Sequence, residues 1–166
     1  LFLAVGAHAN QAKQAKLYGG AKLGIMDADV AGLDDGVNLG LVFGATLSEI
    51  EVGSLALEGE LTFPISEGDA NILGFTGDWD VMTLACYGAF RSKGPLYFKG
   101  KAGLLYEDVN VKISGVPGGS GSEDDIGISI GIGGGYRISE KSSLELEYTI
   151  IESDLDYISF GFNMNF

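Results

Sequence analysis

Three pairs of charges in this chain share one spacing: Glu58 with Glu60, Lys99 with Lys101, and Glu145 with Glu147. On an extended backbone, residues i and i+2 project from the same face. Each pair therefore sets two like charges side by side, which is costly in a low-dielectric interior unless opposite charge lies nearby. Lys22, Asp80 and Arg137 have the parity, within their own segments, that adds them to the set. Two chemistries are open to such a collection. The charges can neutralise one another as buried ion pairs, or they can line a proton or ion pathway. General-base catalysis is poorly served, because the only histidine is His8, close to the start of the chain.

Strands must position these charges. Apolar residues recur at every second position over 17–26, 37–46, 55–63, 79–90, 96–106, 126–137, 143–150 and 157–166. The last segment is the clearest, with Ile158, Phe160, Phe162, Met164 and Phe166 alternating with Ser159, Gly161, Asn163 and Asn165. This is the period-two pattern of a strand whose faces meet different surroundings. On the fourth segment the apolar parity is read as Trp79, Val81, Thr83, Ala85, Tyr87 and Ala89, leaving Asp80 on the polar face. Over all segments the apolar parity holds no charge. The opposite parity carries Lys22, Glu58, Glu60, Asp80, Lys99, Lys101, Arg137, Glu145 and Glu147.

Two architectures alternate in this way. A soluble sandwich or barrel turns its apolar face inward, whereas a membrane barrel turns it to lipid and encloses the polar one. Trp79, Tyr87, Tyr106, Tyr136 and Tyr148 sit mostly toward the ends of the apolar faces, where interfacial girdles belong. The polar face is rich in glycine (Gly40, Gly44, Gly88, Gly131, Gly133 and Gly135 among others), which suits a cramped interior. The segment lengths match the roughly 9–11 residues of a tilted bilayer crossing. The expected fold is all-β: an eight-stranded antiparallel up-and-down transmembrane β-barrel with a packed lumen.

Bulk properties agree. The net charge is −13 over 166 residues, yet 46% of residues are hydrophobic, too many for a disordered acidic chain. A membrane helix needs about 20 consecutive apolar residues, and the longest apolar run is only Leu1 to Ala7. Leu1 to Asn10 reads as the end of a secretory leader running into an Ala7-His8-Ala9 cleavage site. Residues 1–9 are then a signal-peptide remnant and 10–166 the barrel domain, and His8 is discarded. Cys86, the single cysteine, is expected to point inward as a small strand residue.

The connectors at 27–36, 64–78 and 107–125 are long, and those at 47–54, 91–95 and 138–142 are short. Outer-membrane barrels keep short turns on the periplasmic side and longer loops outside, which places both termini in the periplasm. The acids gather in the outer loops, at Asp27, Asp29, Asp34, Asp35, Glu123, Asp124, Asp125, Glu152, Asp154 and Asp156. Such a rim repels nucleic acid and bare lipid phosphate, yet can share divalent cations with lipopolysaccharide. Asp27 and Asp29 open a calcium-loop-like stretch that lacks a ligand at its fifth position and has Asn38 where a bidentate Glu is wanted, so no dedicated metal site is expected.

Three stretches carry a family resemblance: Leu17-Tyr-Gly-Gly-Ala-Lys-Leu-Gly24, Gly133 through Tyr148, and Tyr157 through Phe166. Through them the chain resembles the small outer-membrane β-barrel domain family, the OmpA-like and opacity-type barrels. The resemblance implies a bacterial outer-membrane location and lipid or lipopolysaccharide as neighbours. It also implies a closing signal read by the barrel-assembly machinery, matched here by Phe160, Phe162, Met164 and Phe166. The expected role is structural or surface-interaction, adhesin- or receptor-like, by a monomer without cofactor. The alternatives are a narrow porin-like channel and a lipid-modifying enzyme; the enzymes of this class rely on a histidine base that the mature chain would lack.

Overall fold

The computed structural model describes residues 15–72, 75–114 and 118–166. The leader reading of residues 1–9 falls outside the described residues. The strands are β1 (Lys16–Ala28), β2 (Gly36–Ile50), β3 (Gly53–Ser66), β4 (Gly68–Ile72), β5 (Phe75–Ser92), β6 (Leu96–Ile113), β7 (Ser120–Arg137), β8 (Ser142–Glu152) and β9 (Leu155–Asn165). All neighbours pair antiparallel in the order β3-β2-β1-β9-β8-β7-β6-β5, and a further β3–β5 ladder joins the ends of the row. The result is a closed eight-stranded barrel, with β4 a short strand paired only to the start of β5. Closure removes every open edge within the membrane-spanning ring, the condition hydrocarbon imposes on a sheet.

Burial runs opposite to that of a soluble core. Ile128 is 77% exposed and Leu104 61%, whereas Glu58 is 0% exposed and Lys101 5%. The apolar parity therefore faces outward on β1, β2, β3, β6, β7, β8 and β9, as the alternation predicts.

β5 departs from expectation. Trp79, Val81, Ala85, Tyr87 and Ala89 are buried in the lumen, and Met82, Leu84 and Cys86 face out. Four readings change with this inversion. Trp79 and Tyr87 are not girdle residues, Gly88 is not luminal, Cys86 points outward, and Asp80 leaves the lumen. The physical reason is that both faces of β5 are apolar enough to meet lipid, so alternation alone does not choose between them.

The connector at 107–125 is less a loop than a projecting hairpin, paired from Leu96↔Tyr136 out to Lys112↔Ser120. That at 64–78 contains β4. The loop after β1 is laced to β4 through Asp34 N–H to Asp69 O (2.8 Å) and Asn71 N–H to Gly32 O (2.6 Å). Gly32 sits at φ 96°, a left-handed conformation that favours glycine. The barrel thus has a turn end, which holds the first and last described residues, and a loop end.

Candidate functional site

The lumen near the turn end is an ion-pair cluster. Lys22 from β1 reaches Glu60 on β3 (2.6 Å) and Glu147 on β8 (2.9 Å). Lys101 from β6 bridges the same two carboxylates at 2.9 and 2.6 Å. Lys99 touches Glu58 and Glu145, each at 3.1 Å, and Glu147 at 2.8 Å. Arg91, from the end of β5, completes the set against Glu58 (2.5 Å) and Glu145 (2.7 Å). Glu58, Glu60, Glu145 and Glu147 are thereby matched by Lys22, Arg91, Lys99 and Lys101, and the cluster is neutral. Two tyrosines complete the coordination: Tyr18 donates to Glu58 (2.6 Å) and Tyr97 to Glu145 (2.7 Å). The Lys101 ammonium also lies 4.2 Å from the centre of the Tyr87 ring.

Most of the predicted charges meet here, and two do not. Asp80 lies at the loop end, where Asn110 donates to it (3.3 Å). Arg137 has luminal parity but stops at the turn-end mouth, where it donates to the carbonyls of Gly94 and Ser92 and stacks on Tyr97 (4.3 Å). Sequence reasoning missed Arg91 by placing it in a turn. Its signal was the parity of β5: Arg91 continues the series Val81, Thr83, Ala85, Tyr87, Ala89 into the lumen.

Above the charges toward the loop end the lumen changes character. Neutral hydrogen bonds come first: Thr62 with Thr83 (2.8 Å), Tyr87 with Ser129 (3.0 Å), and Tyr157 donating to Asn38 O (3.1 Å). Next comes an apolar layer of Met26, Trp79, Val81, Leu105, Ile151 and Leu155. Within the charged layer, the gap beside Lys22, Lys99 and Glu147 measures about 10 Å³, scarcely the volume of one water molecule. Along the described lumen, larger cavities open at the two ends, about 490 Å³ by Arg91 and Arg137 and about 480 Å³ by Trp79 and Glu107.

A belt of outward apolar side chains, a sealed polar centre and a closed antiparallel ring belong together in one kind of protein. The outer membrane protein β-barrel domain family model matches residues 1–166. The chain belongs to that family. No curated protein matches this barrel by sequence. Among solved structures it is similar to Neisserial surface protein A, with TM-score 0.68 and 15% identity over 90% of this chain and 97% of that one. A major outer membrane protein from Thermus thermophilus gives TM-score 0.67 and 13% identity over 92% and 100%. Ail, the attachment invasion locus protein of Yersinia pestis, gives 0.58 and 13% over 92% and 97%. The outer membrane enzyme PagL shares the architecture at TM-score 0.51 and 14% identity over 89% and 98%. At such identities the likeness is one of fold, and this barrel's role must come from its own residues.

Proposed function

We propose that this outer-membrane barrel has a structural and surface-interaction role, holding acidic loops at the cell surface, and works neither as a pore nor as an enzyme. The sealed lumen carries this reading. Each luminal glutamate is engaged by two or three cationic or tyrosine groups, and the apolar layer around Trp79 closes the path toward the loop end. Moving an ion through would require opening a compensated cluster, and breaking one buried pair typically costs about 3–5 kcal/mol. A histidine base of the kind expected in lipid-modifying barrels finds no support: the single histidine, His8, precedes β1 and lies outside the described residues.

In this reading the loop end faces outside and the termini lie in the periplasm, supported by the short connectors at the turn end. Lipopolysaccharide is the neighbour, bridged by divalent cations. Asp27, Asp29, Asp35 and Asp156 crowd together where the outward apolar series of β1 stops at Ile25. Partial desolvation, followed by Asp35, Asp156 and Asp29, holds the Asp27 carboxyl above its usual range. Phe160, Phe162, Met164 and Phe166 all face outward, as a signal displayed to the assembly machinery requires. The closed ring leaves the spanning sheet without an edge for strand pairing to a second copy, which supports a monomer.

Planar-bilayer recording is the decisive test. Purified protein is expected to give no discrete openings; steps comparable to those of small porins would replace this reading with the channel. Expression of the protein is also expected to leave the lipid A profile unchanged, and an altered acylation pattern would overturn the non-enzymatic part.

A further inference from the structure

Glu107 is an exception among the buried acids. It is 4% exposed, and its Oε2 has no hydrogen-bond partner among the described residues. The luminal glutamates meet lysine and arginine; Glu107 instead faces Glu152 on β8 and Asp125 and Glu123 on β7. Lys112, the nearest cation along β6, is directed to Glu67 and Asp80. A buried carboxylate normally demands a compensating charge. Glu107 lines the loop-end cavity of about 480 Å³, a size typical of small-molecule sites.

The cavity wall has two chemistries. Its lining mixes the carboxylates of Glu107, Asp125 and Glu152 with the apolar surfaces of Trp79, Val109 and Val111. The Trp79 N–H already donates to Asp34 O (2.7 Å), so the indole presents its apolar surface. Hard metal ions take six or more oxygens in close array. Among the described residues no group of three carboxylates has a metal-holding arrangement, and half the wall offers carbon.

We propose that this cavity binds a small organic cation: an ammonium or guanidinium head seated against Glu107 and Glu152, with an apolar body packed on Trp79, Val109 and Val111. Head and body are both required. This site goes beyond the structural role and does not depend on which side of the membrane the loop end faces.

Trp79 is the only tryptophan in the chain, so its emission reports on this cavity alone. Detergent-folded full-length protein is titrated with 4-phenylbutylammonium, and binding is followed by fluorescence and by calorimetry. Spermidine supplies charge without an apolar body, and 4-phenylbutanol supplies the body without charge. The expected result is saturable binding of phenylbutylammonium, with both comparison compounds at least tenfold weaker. Glu107→Gln, checked for folding by its heat-dependent gel shift, should lose at least tenfold in affinity; Glu152→Gln serves if that variant fails to fold. Three results overturn the proposal: no saturable heat or emission change at millimolar ligand, equal affinity in wild type and the folded Gln variant, or spermidine binding as tightly as the amphiphile.

Discussion

Lys99 of β6 and Glu147 of β8 meet at 2.8 Å although β7 runs between them. Gly133 explains how. It is the β7 residue paired to Lys99 on one side and to Glu147 on the other, and it has no side chain to intervene. The same arrangement recurs two residues on, where Gly135 lies between Tyr97 and Glu145, whose hydrogen bond spans 2.7 Å. Across the barrel Gly44 separates Tyr18 from Glu58, which bond at 2.6 Å. Glycine in these strands is a gap through which neighbours one strand removed make contact.

Filling such a gap should therefore break a polar contact rather than only crowd the lumen. A Cβ at Gly135 or Gly44 would collide with the Tyr97 or Tyr18 ring. Overpacking of this kind typically costs about 1–3 kcal/mol, and displacing the tyrosine leaves a glutamate under-coordinated. Gly135→Val should lower the unfolding free energy obtained from urea titration of the barrel in lipid vesicles by that amount or more. Gly88→Val, on the outward face, is the control and should change it little.

Removing one cation should cost more than its own contacts suggest. Lys99→Met leaves Glu58, Glu145 and Glu147 each short of a partner. Breaking a buried pair typically costs about 3–5 kcal/mol. Adding Glu147→Leu restores neutrality, so the double variant should be more stable than the Lys99→Met single. An additive pair of losses in equilibrium unfolding would contradict a coupled cluster.

The loop end should respond to pH in the direction set by Glu107. The outward apolar band of β6 ends at Tyr106, so Glu107 lies beyond the hydrocarbon. Burial, then Glu152, Asp125 and Glu123, push its carboxyl up from 4.5 to about 7. A carboxyl raised in the folded state makes ionisation unfavourable to the fold, so stability falls as pH rises from 4.5 toward 7 and levels off above. Amide hydrogen exchange in the β6–β7 hairpin, corrected for intrinsic rates, should be slower near pH ~5 than near pH ~8, and Glu107→Gln should flatten the difference. Equal protection of the wild type at both pH values would defeat this assignment.

The orientation of β5 can be read from Cys86. It faces outward in the middle of the strand, beside Leu84 and near Met82. In vesicles it should react with a lipophilic maleimide and resist a charged, water-soluble one. The opposite pattern would return Trp79 and Tyr87 to the lipid face.

Much of this was legible in the residue order. The parity of β9, with its uninterrupted Ile158 to Phe166 series, fixes its faces, and the spacing of Glu58/Glu60, Lys99/Lys101 and Glu145/Glu147 anticipates their meeting. β5 was not legible because Met82, Leu84, Cys86 and Phe90 suit lipid as well as Trp79, Val81 and Ala85 do. Apolarity favours the Trp79 parity for the outside and so leaves Asp80 on the luminal side, the reverse of what the barrel adopts. Asp80 is polar because it lies at the loop end, and Arg91, at the opposite end of β5, was the residue that marked the inside. The cavity at Glu107 was hidden for another reason: 107–125 reads as loop by composition, and only the register of the hairpin sets Glu107 opposite Asp125.

Lys22 has a special position in this cluster because it stands on β1, whose ladder with β9 joins the first and last of the described strands. Its contacts run to Glu60 on one side of that junction and to Glu147 on the other. A sheet not yet zipped along β1 and β9 would leave Lys22 beside Glu60 and take it from Glu147. The ionic cluster thus doubles as a latch: incomplete rings are penalised in hydrocarbon, and the ladder between β1 and β9 also brings Lys22 within reach of Glu147.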